Sequence, residues 1–362
     1  MTPRGFLTFV AVATVAVAIA AVMLVDEQNG TNSRQAGGEA MFPELNDRIE
    51  ELDRLVISSE RYSLTLGLRD GQWVATDYGD YPVNVEHFAQ IIGSMLSMTR
   101  VEQKTDNPDL YQYLGVTDIA EGETSSTLRI QAYLDDGTQV ADALFGRQST
   151  SIGFTRIGGL FVRPVDSDRT WLVEGLISAP NFIQDWFQRL LSIPGPDVAR
   201  VSIAAGDTVL LTAEKVDFAT ADYELAFVGD QVAPANSIAN DANIRSMSQG
   251  VISTTFDSAR PIEELTLSDA DRVVTFVTVD GLELSVRLVE ADGTTWAVYR
   301  AFGAAGTEAA EEAADITERT GRWAFTIPSH RVTALSRPIE DLFIPPEEEV
   351  EAPPRPFVPI AP

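Results

Sequence analysis

The chain has 362 residues, with 54 acidic and 26 basic side chains and a net charge of −28. An acidic surface of this kind repels nucleic acid and anionic lipid headgroups, which argues against a polyanion as partner. The chain has no cysteine, so disulfides and thiolate metal sites are excluded. Only two basic residues are lysines, Lys104 and Lys215. We attribute the acidic bias to genome composition or a saline habitat rather than to binding.

The first informative element is an apolar run of 20 residues, from Phe6 to Val25. As a helix it would be about 30 Å long, the thickness of a hydrocarbon core. Arg4 precedes the run and Asp26 follows it, so the positive-inside rule predicts the rest of the chain outside the cytoplasmic membrane. We expect a transmembrane anchor over residues 1–25 in a bacterial inner membrane, with the bulk of the chain in the periplasm. A cleaved signal peptide is the alternative, with a cleavage site at Ala18-Ile19-Ala20.

The composition then divides the remainder of the chain. Residues 26–41 are polar and glycine-containing and predict a flexible linker. A first module is expected over residues 42–193, beginning with a short helix that ends near Leu52. The stretch Ile193-Pro194-Gly195-Pro196 predicts a boundary, and a second module follows over residues 197–343. The tail, residues 344–362, is rich in proline and glutamate and is expected to be disordered.

The two modules resemble each other, because the pattern from Arg54 to Phe187 recurs between Arg200 and Phe343. Both copies open with alternating apolar residues that predict β-hairpins. Both carry an Asp-Gly turn between two strands, at Asp136-Gly137 and Asp280-Gly281, which is a strong hairpin signal.

Later elements follow in the same order. The strand Phe161-Val162-Arg163 aligns with Val298-Tyr299-Arg300, and a tryptophan-led strand follows in each copy, at Trp171 and at Trp323. Each copy is expected to close with a short helix led by proline, at Pro180 and at Pro338.

A helix interrupts the strands of each copy. Apolar residues at helical spacing follow Asn84, a suitable N-cap, and predict an amphipathic helix through Leu96. The second copy has a weaker pattern from Ile238 to Met247. Strands grouped around few helices indicate an α+β fold, here two tandem modules of antiparallel sheet plus helices. The alternative is two unrelated α+β domains with similar patterns.

The sequence offers little catalytic chemistry. Its two histidines, His87 and His330, have no carboxylate at a recognisable spacing, and no G-x-S-x-G motif is present. The acidic loops Asp166-Ser167-Asp168 and Asp269-Ala270-Asp271 are interpreted as solvated turns rather than calcium loops. We therefore predict no catalytic residue, cofactor or metal site, and no enzymatic activity.

Two other functions stay open. A binding module for a cell-wall glycan or small solute could use an exposed aromatic side chain such as Trp296. A hydrolase with an unrecognised acidic pair is also compatible with a chain so rich in carboxylates.

The first copy carries Gly71-Gln72-Trp73-Val74, then Tyr81-Pro82-Val83, then a segment from Asn107 that ends Tyr111-Gln112-Tyr113-Leu114-Gly115-Val116. These residues resemble the bacterial domain-of-unknown-function family 4340, with its "W-V" strand, "P-V" helix start and "Y-x-x-L-G" segment. The resemblance covers nearly all of residues 42–343, although the second copy lacks a Leu-Gly-Val equivalent near Arg260-Pro261-Ile262.

The resemblance implies a membrane-anchored envelope protein associated with an ABC transport system of the gliding-motility auxiliary type. It implies no catalytic residue. We therefore expect a non-enzymatic accessory or adaptor subunit with protein partners in a transport complex. The candidate interaction segment consists of Tyr111, Leu114, Gly115 and Val116. Within it, Gly115 is expected to adopt a backbone conformation that other residues resist.

Overall fold

A computed structural model describes residues 38–119, 127–149, 158–191, 193, 198–206, 208–215, 223–226, 238–248, 251, 254–269 and 271–344. The chain divides into two compact units. The first runs to Gln188 and includes Asp257–Arg260, and the second comprises Arg189–Phe256 and the residues from Pro261 onward. The division at Gln188 falls shortly before the predicted Pro/Gly boundary, of which residues 194–196 lie outside the described ranges.

In the described ranges no helix has the length and apolar character required to cross a membrane. The predicted anchor over residues 1–25 lies outside these ranges, as does the predicted tail beyond Ile344. The linker predicted over residues 26–41 ends inside the fold, because Met41 is 2 % exposed and Ala40 forms a β-bridge with Thr99. The last residues of this linker are therefore part of the first unit, a correction to the prediction.

The first unit is built on a nine-stranded antiparallel sheet with the order β4-β3-β2-β1-β6-β7-β8-β9-β5. Its strands are β1 (Leu52–Ser58), β2 (Ser63–Arg69), β3 (Gln72–Ala75), β4 (Tyr81–Pro82), β5 (Thr99–Gln103), β6 (Leu128–Leu134), β7 (Gln139–Ser149), β8 (Gly159–Pro164) and β9 (Trp171–Glu174). Its α-helices are α1 (Pro43–Asp47), α2 (Val85–Ser97) and α3 (Tyr111–Leu114), and its 3-10 turns are Ile49–Glu51, Thr76–Tyr78, Pro108–Leu110 and Ile183–Trp186.

The second sheet has eight strands in the order β12-β11-β10-β15-β16-β17-β18-β14. These strands are β10 (Val198–Ala205), β11 (Thr208–Lys215), β12 (Tyr223–Ala226), β14 (Ser258–Pro261), β15 (Arg272–Thr278), β16 (Glu283–Ala291), β17 (Thr294–Phe302) and β18 (Trp323–Thr326). A separate ladder joins β13 (Ile238–Ala239) to β19 (Phe343–Ile344). The helices are α4 (Asp241–Ser248), α5 (Glu308–Thr320) and α6 (Ser329–Leu335), with 3-10 turns at Ile262–Glu264 and Ile339–Leu342.

The two sheets repeat each other in topology. The order of the second sheet matches β3-β2-β1-β6-β7-β8-β9-β5 of the first, position for position. The register also agrees, since β1 and β10 are each irregular just before an arginine, Arg54 and Arg200, where they pair with β6 and β15. In both Asp-Gly turns the glycine, Gly137 or Gly281, donates to the carbonyl three residues earlier. The predicted α+β fold with two tandem sheet modules is therefore confirmed.

The helix α2 covers one face of the first sheet, which we call the inner face. It begins as predicted at Asn84, whose Oδ1 accepts a hydrogen bond from the Glu86 amide at 3.0 Å. The Phe88 ring stacks on Trp73 of β3 with 4.1 Å between centroids. Apolar residues at helical spacing thus meet the alternating apolar residues of the strands and form the main core.

Several boundaries differ from the prediction. The short helix before Leu52 is two pieces, α1 and a 3-10 turn, and β1 already begins at Leu52. The closing helices are single 3-10 turns. The patterns above also miss α5, although Thr307 caps it by accepting from the Ala310 amide at 3.3 Å and its sequence is rich in alanine and glutamate, which favour helix.

One strand alignment was wrong by two residues. The same row across the two sheets is Ser58, Arg129, Leu144 and Arg163 in the first and Ala204, Val273, Arg287 and Val298 in the second. Arg163 therefore occupies the position of Val298 and not of Arg300. Alternation alone cannot detect such a shift, because moving a strand by two residues keeps every side chain on the same face.

The topology requires a long connection over the second, outer face of each sheet. In the first unit the chain leaves the edge strand β5 and returns to β6 in the middle, and residues of this connection pack on β7 and β8. In the second sheet the chain leaves β14 and returns to β15, and Ile262, Leu265 and Leu267 pack against Trp296 and Val298. Each unit thus has a small core on its outer face.

Tyr299 of the second unit is a buried tyrosine whose hydroxyl is unsatisfied within the described part of the chain. It is 1 % exposed, and its hydroxyl has no hydrogen-bond partner among the described residues. Burial raises the pKa of Tyr299 well above its usual value, and the nearby Arg331 opposes this only in part. The folded protein therefore holds the phenol proton more tightly than the unfolded chain does. The corresponding stability is present below about pH 10 and is lost as the pH rises further.

We expect Tyr299→Phe to leave the stability at pH 7 unchanged or to raise it by up to about 1 kcal/mol, because it removes an unsatisfied buried hydroxyl. The variant should also lose less stability than the parent protein between pH 7 and about pH 10.5. Urea unfolding of the full chain at both pH values measures this. Tyr113→Phe is the matched control, since Tyr113 is 65 % exposed. Equal pH dependence in Tyr299→Phe and the parent would contradict the assignment.

Candidate functional site

The predicted interaction segment lies in the outer connection of the first unit, within residues 108–116, which we call the Tyr111 turn. Asn107 begins it by accepting a hydrogen bond from the Asp109 amide at 3.1 Å. Helix α3 ends at Leu114 and is capped by Gly115, which has φ 69° and ψ 31°. This left-handed conformation satisfies the end of a helix and favours glycine. The conformational prediction for Gly115 is confirmed.

The Tyr111 turn lies in direct contact with the backbone of β7. A Cβ added to Gly115 would lie 3.0 Å from Cγ of Arg147. A Cβ added to Gly146 would lie 2.2 Å from the Leu114 carbonyl oxygen and 2.8 Å from that of Gly115. Two glycines therefore allow the turn and the strand to approach each other, which is a recognised use of glycine inside a strand.

Arg163 of β8 attaches the Tyr111 turn to the sheet. The residue is 3 % exposed, and its Nε donates to the Val116 carbonyl at 3.2 Å while Nη1 donates to the Ser167 carbonyl at 3.4 Å. Its Nη2 forms an ion pair with Asp118 at 2.6 Å. A guanidinium has donors in a fixed fork, so one side chain here satisfies three acceptors from two loops.

Tyr111 completes the attachment. The Arg163 guanidinium lies over the Tyr111 ring at 4.4 Å from its centroid, a cation–π contact. The Tyr111 hydroxyl donates to the Asp168 carbonyl at 2.6 Å. Burial raises the pKa of Tyr111, and the positive charge of Arg163 partly offsets this. The hydroxyl therefore stays protonated and a donor throughout the neutral range.

The structure brings the four predicted residues together, but they differ in solvent exposure. Tyr111, Gly115 and Val116 are buried, and Leu114 is half-buried. The exposed apolar side chains of the Tyr111 turn are Tyr113, at 65 %, and Leu110, at 42 %. The predicted residues thus form the base of the turn, and its neighbours Leu110 and Tyr113 form its solvent-facing side.

Sequence reasoning missed two residues that build this site. Gly146 could have been found, because a lone glycine inside an apolar strand pattern marks a close backbone approach. Arg163 gave no local signal, since its partners Val116 and Asp118 lie far from it along the chain.

The corresponding position of the second unit is built differently. There the outer connection contains the 3-10 turn Ile262–Glu264, and Leu265 packs on Trp296 and Val298. Val298 occupies the place of Arg163, so the contact is apolar. The expected departure of the second copy from the Leu-Gly-Val pattern therefore has a structural counterpart.

Neither histidine lies in a catalytic arrangement among the described residues. His87 is half-buried on α2 with its ring 6.2 Å from that of Trp186, and His330 is exposed on α6. The described ranges contain no group of three side chains suited to a metal ion. Both acidic loops include turn hydrogen bonds: Ser167 Oγ accepts from the Arg169 amide at 3.1 Å, and Asp271 accepts from the Ser268 amide at 2.7 Å.

Among the described residues, two carboxylates have shifted pKa values, Glu51 and Asp136, and both form an ion pair with Arg48. The pKa of Glu51 is lowered by its hydrogen bond from Arg48, and the pKa of Asp136 is lowered by hydrogen bonds from Thr138. A general acid for glycoside hydrolysis requires a raised pKa. Both observed shifts are in the opposite direction.

The tryptophans do not form an exposed surface. Trp186, Trp296 and Trp323 are buried, and Trp73 and Trp171 are half-buried. The expected exposure of Trp296 was wrong, because the outer connection of the second unit covers it.

Comparison of the chain with protein-family models, curated proteins and solved structures finds no match. The resemblance to the bacterial domain-of-unknown-function family 4340 therefore stays an expectation from the sequence.

Proposed function

We propose that the protein is a non-enzymatic accessory or adaptor subunit of an ABC-type membrane transport complex, anchored in the membrane and facing the periplasm. The observation that carries the proposal is the rigid Tyr111 turn, which presents Tyr113 and Leu110 to solvent. The predicted anchor would place this turn on the periplasmic side, where the permease subunits of such a complex are accessible.

Rigid presentation of a tyrosine favours protein binding. Tyr113 is held on a helix turn whose base is fixed by Gly115, Gly146 and Arg163, so little conformational entropy is lost when a partner binds. Tyrosine and arginine are enriched among the residues that dominate binding energy at interfaces. The exposed Arg147 lies beside Gly115 and extends the same surface.

Site-specific photo-crosslinking tests the proposal. We would replace Tyr113 by a benzophenone amino acid in the full-length chain, express it in the source bacterium and irradiate the membranes. The expected result is a crosslink to a permease or ATPase subunit, identified by mass spectrometry. Phe302 is the matched control position, because it is 67 % exposed and belongs to the second unit.

The result counts in favour only if Tyr113 captures a transporter subunit and Phe302 does not. Capture of glycan fragments alone would favour the binding-module alternative. Equal labelling of the same proteins from both positions would count against the Tyr111 turn as the contact. Tyr113→Ala should reduce recovery of the partner without unfolding the protein, since the side chain is mostly in solvent.

A further inference from the structure

Two arginines of the second unit are partly buried and form no ion pair with a carboxylate of the described residues. Arg272 is the first residue of β15, and Arg337 follows α6. Nη2 of Arg272 donates to the Arg337 carbonyl at 2.7 Å. This hydrogen bond holds the main chain at Arg337 against the start of β15.

Both guanidinium groups have unused donors. The Nε atoms of Arg272 and Arg337 are buried and have no hydrogen-bond partner among the described residues. Burial also lowers the pKa of Arg272, since it disfavours the charged form. By contrast, Arg129 and Arg163 of the first unit each meet a carboxylate, at 2.7 Å and 2.6 Å. A partly buried cation without an anion costs free energy, so an anion that paired with the guanidinium would be bound favourably.

A cavity of about 380 Å³ opens beside Arg337. Its lining residues are Val332, Thr333, Ser336, Arg337, Pro338 and Asp341. The Thr333 hydroxyl already donates to the Ser329 carbonyl at 3.0 Å. Arg337 is thus the cation of this cavity, Ser336 contributes a hydroxyl, and the exposed Asp341 is the anion at its edge.

The fold itself does not require Arg272. In the repeated register, Arg272 pairs with Leu288 two positions before Val274, and Leu128 holds the same place before Ile130 in the first unit. A leucine therefore satisfies this position of the sheet, while the second unit has an arginine there. The repeated framework therefore does not account for Arg272, and the contact between Arg272 and Arg337 is found in the second unit and not in the first.

We propose that Arg337, supported by Arg272 and Ser336, binds the oxyanion group of a small molecule, such as a phosphate or a carboxylate. Guanidinium groups match the geometry of both through paired hydrogen bonds. Asp341 disfavours multiply charged anions at the cavity edge, so the site takes a small or singly charged group with modest affinity. The site lies in the second unit and is independent of the Tyr111 turn.

Calorimetric titration of the full-length, detergent-solubilised protein tests the site at pH 7 and constant ionic strength. The probes are inorganic phosphate and acetate, in separate arms, with chloride as the reference anion. We expect Arg337→Gln to weaken binding of the preferred anion about ten-fold, the effect of one charge-assisted hydrogen-bond pair. We expect Asp341→Asn to strengthen the same binding, because it removes the nearby negative charge.

The control is Arg300→Gln, which makes the same change of charge at an exposed position of β17. Its affinity should equal that of the parent protein. The proposal is overturned if neither anion binds the parent protein, if Arg337→Gln and Arg300→Gln behave alike, or if Asp341→Asn weakens binding. If Arg337→Gln does not fold, the proposal is tested by Asp341→Asn, because this exposed substitution is expected to raise the affinity for the anion.

Discussion

Replacing Gly146 by alanine should destabilise the first unit by about 3 kcal/mol or more, the upper range for overpacking against an atom that cannot move aside. The added methyl group would lie 2.2 Å from the Leu114 carbonyl oxygen and 2.8 Å from that of Gly115. Both are backbone atoms, so no side-chain rotation relieves the clash. Either β7 or the Tyr111 turn must shift, and the hydrogen bond from Arg163 to Val116 is then weakened or lost.

The matched control for this variant is Gly137→Ala. Gly137 has φ 83°, but nothing lies within 4 Å of its added Cβ. Its expected cost is therefore about 1 kcal/mol, the conformational penalty of the left-handed region alone. Urea unfolding of the full chain, followed by tryptophan fluorescence, measures both. If the two variants lose the same free energy of unfolding, the close approach of the Tyr111 turn to Gly146 does not explain the destabilisation.

The second large effect is expected at Arg163. Arg163→Leu keeps an apolar stem but removes the donors to the Val116 and Ser167 carbonyls and the cation over the Tyr111 ring. We expect a loss of about 3 kcal/mol, from two carbonyls left without their donor and one lost cation–π contact. The ion pair with Asp118 adds little, because the Asp118 side chain is 70 % exposed and its charge is solvated after the substitution.

Arg200→Leu provides the comparison in the other unit. Arg200 pairs with Glu214 at 2.9 Å, with both side chains at least half exposed. Its removal should change the free energy of unfolding by no more than about 0.5 kcal/mol. A similar loss in Arg163→Leu and Arg200→Leu would show that Arg163 is not the attachment of the Tyr111 turn. Reduced crosslinking from Tyr113 in Arg163→Leu would, in turn, connect this attachment to partner binding.

The two units explain why only the first carries this turn. In each unit the strand order requires the chain to return across the outer face of the sheet. This connection forms a second, small core there. In the second unit Val298 and Trp296 complete that core with apolar contacts. In the first unit Arg163 occupies the place of Val298 and binds main-chain carbonyls, which permits a longer connection with an exposed side.

Local features of this protein were determined by the sequence alone. The Asp-Gly turns, the cap at Asn84 and the left-handed Gly115 each depend on residues within a few positions of one another, and each prediction agrees with the structure. Order and alternation were enough for the α+β fold and its repetition, since turn chemistry and apolar period leave few topologies.

Only the tertiary structure decided which residues face each other over long separations. It moved Arg163 from the place of Arg300 to that of Val298, because registers shifted by two residues have the same alternation. It placed Tyr111 and Val116 inside and Tyr113 outside, since the return of the chain from β5 to β6 determines which side of the turn meets the sheet. It also brought Arg272 to Arg337, 65 positions apart. Contacts at such separations follow from strand order and packing, which no local pattern specifies.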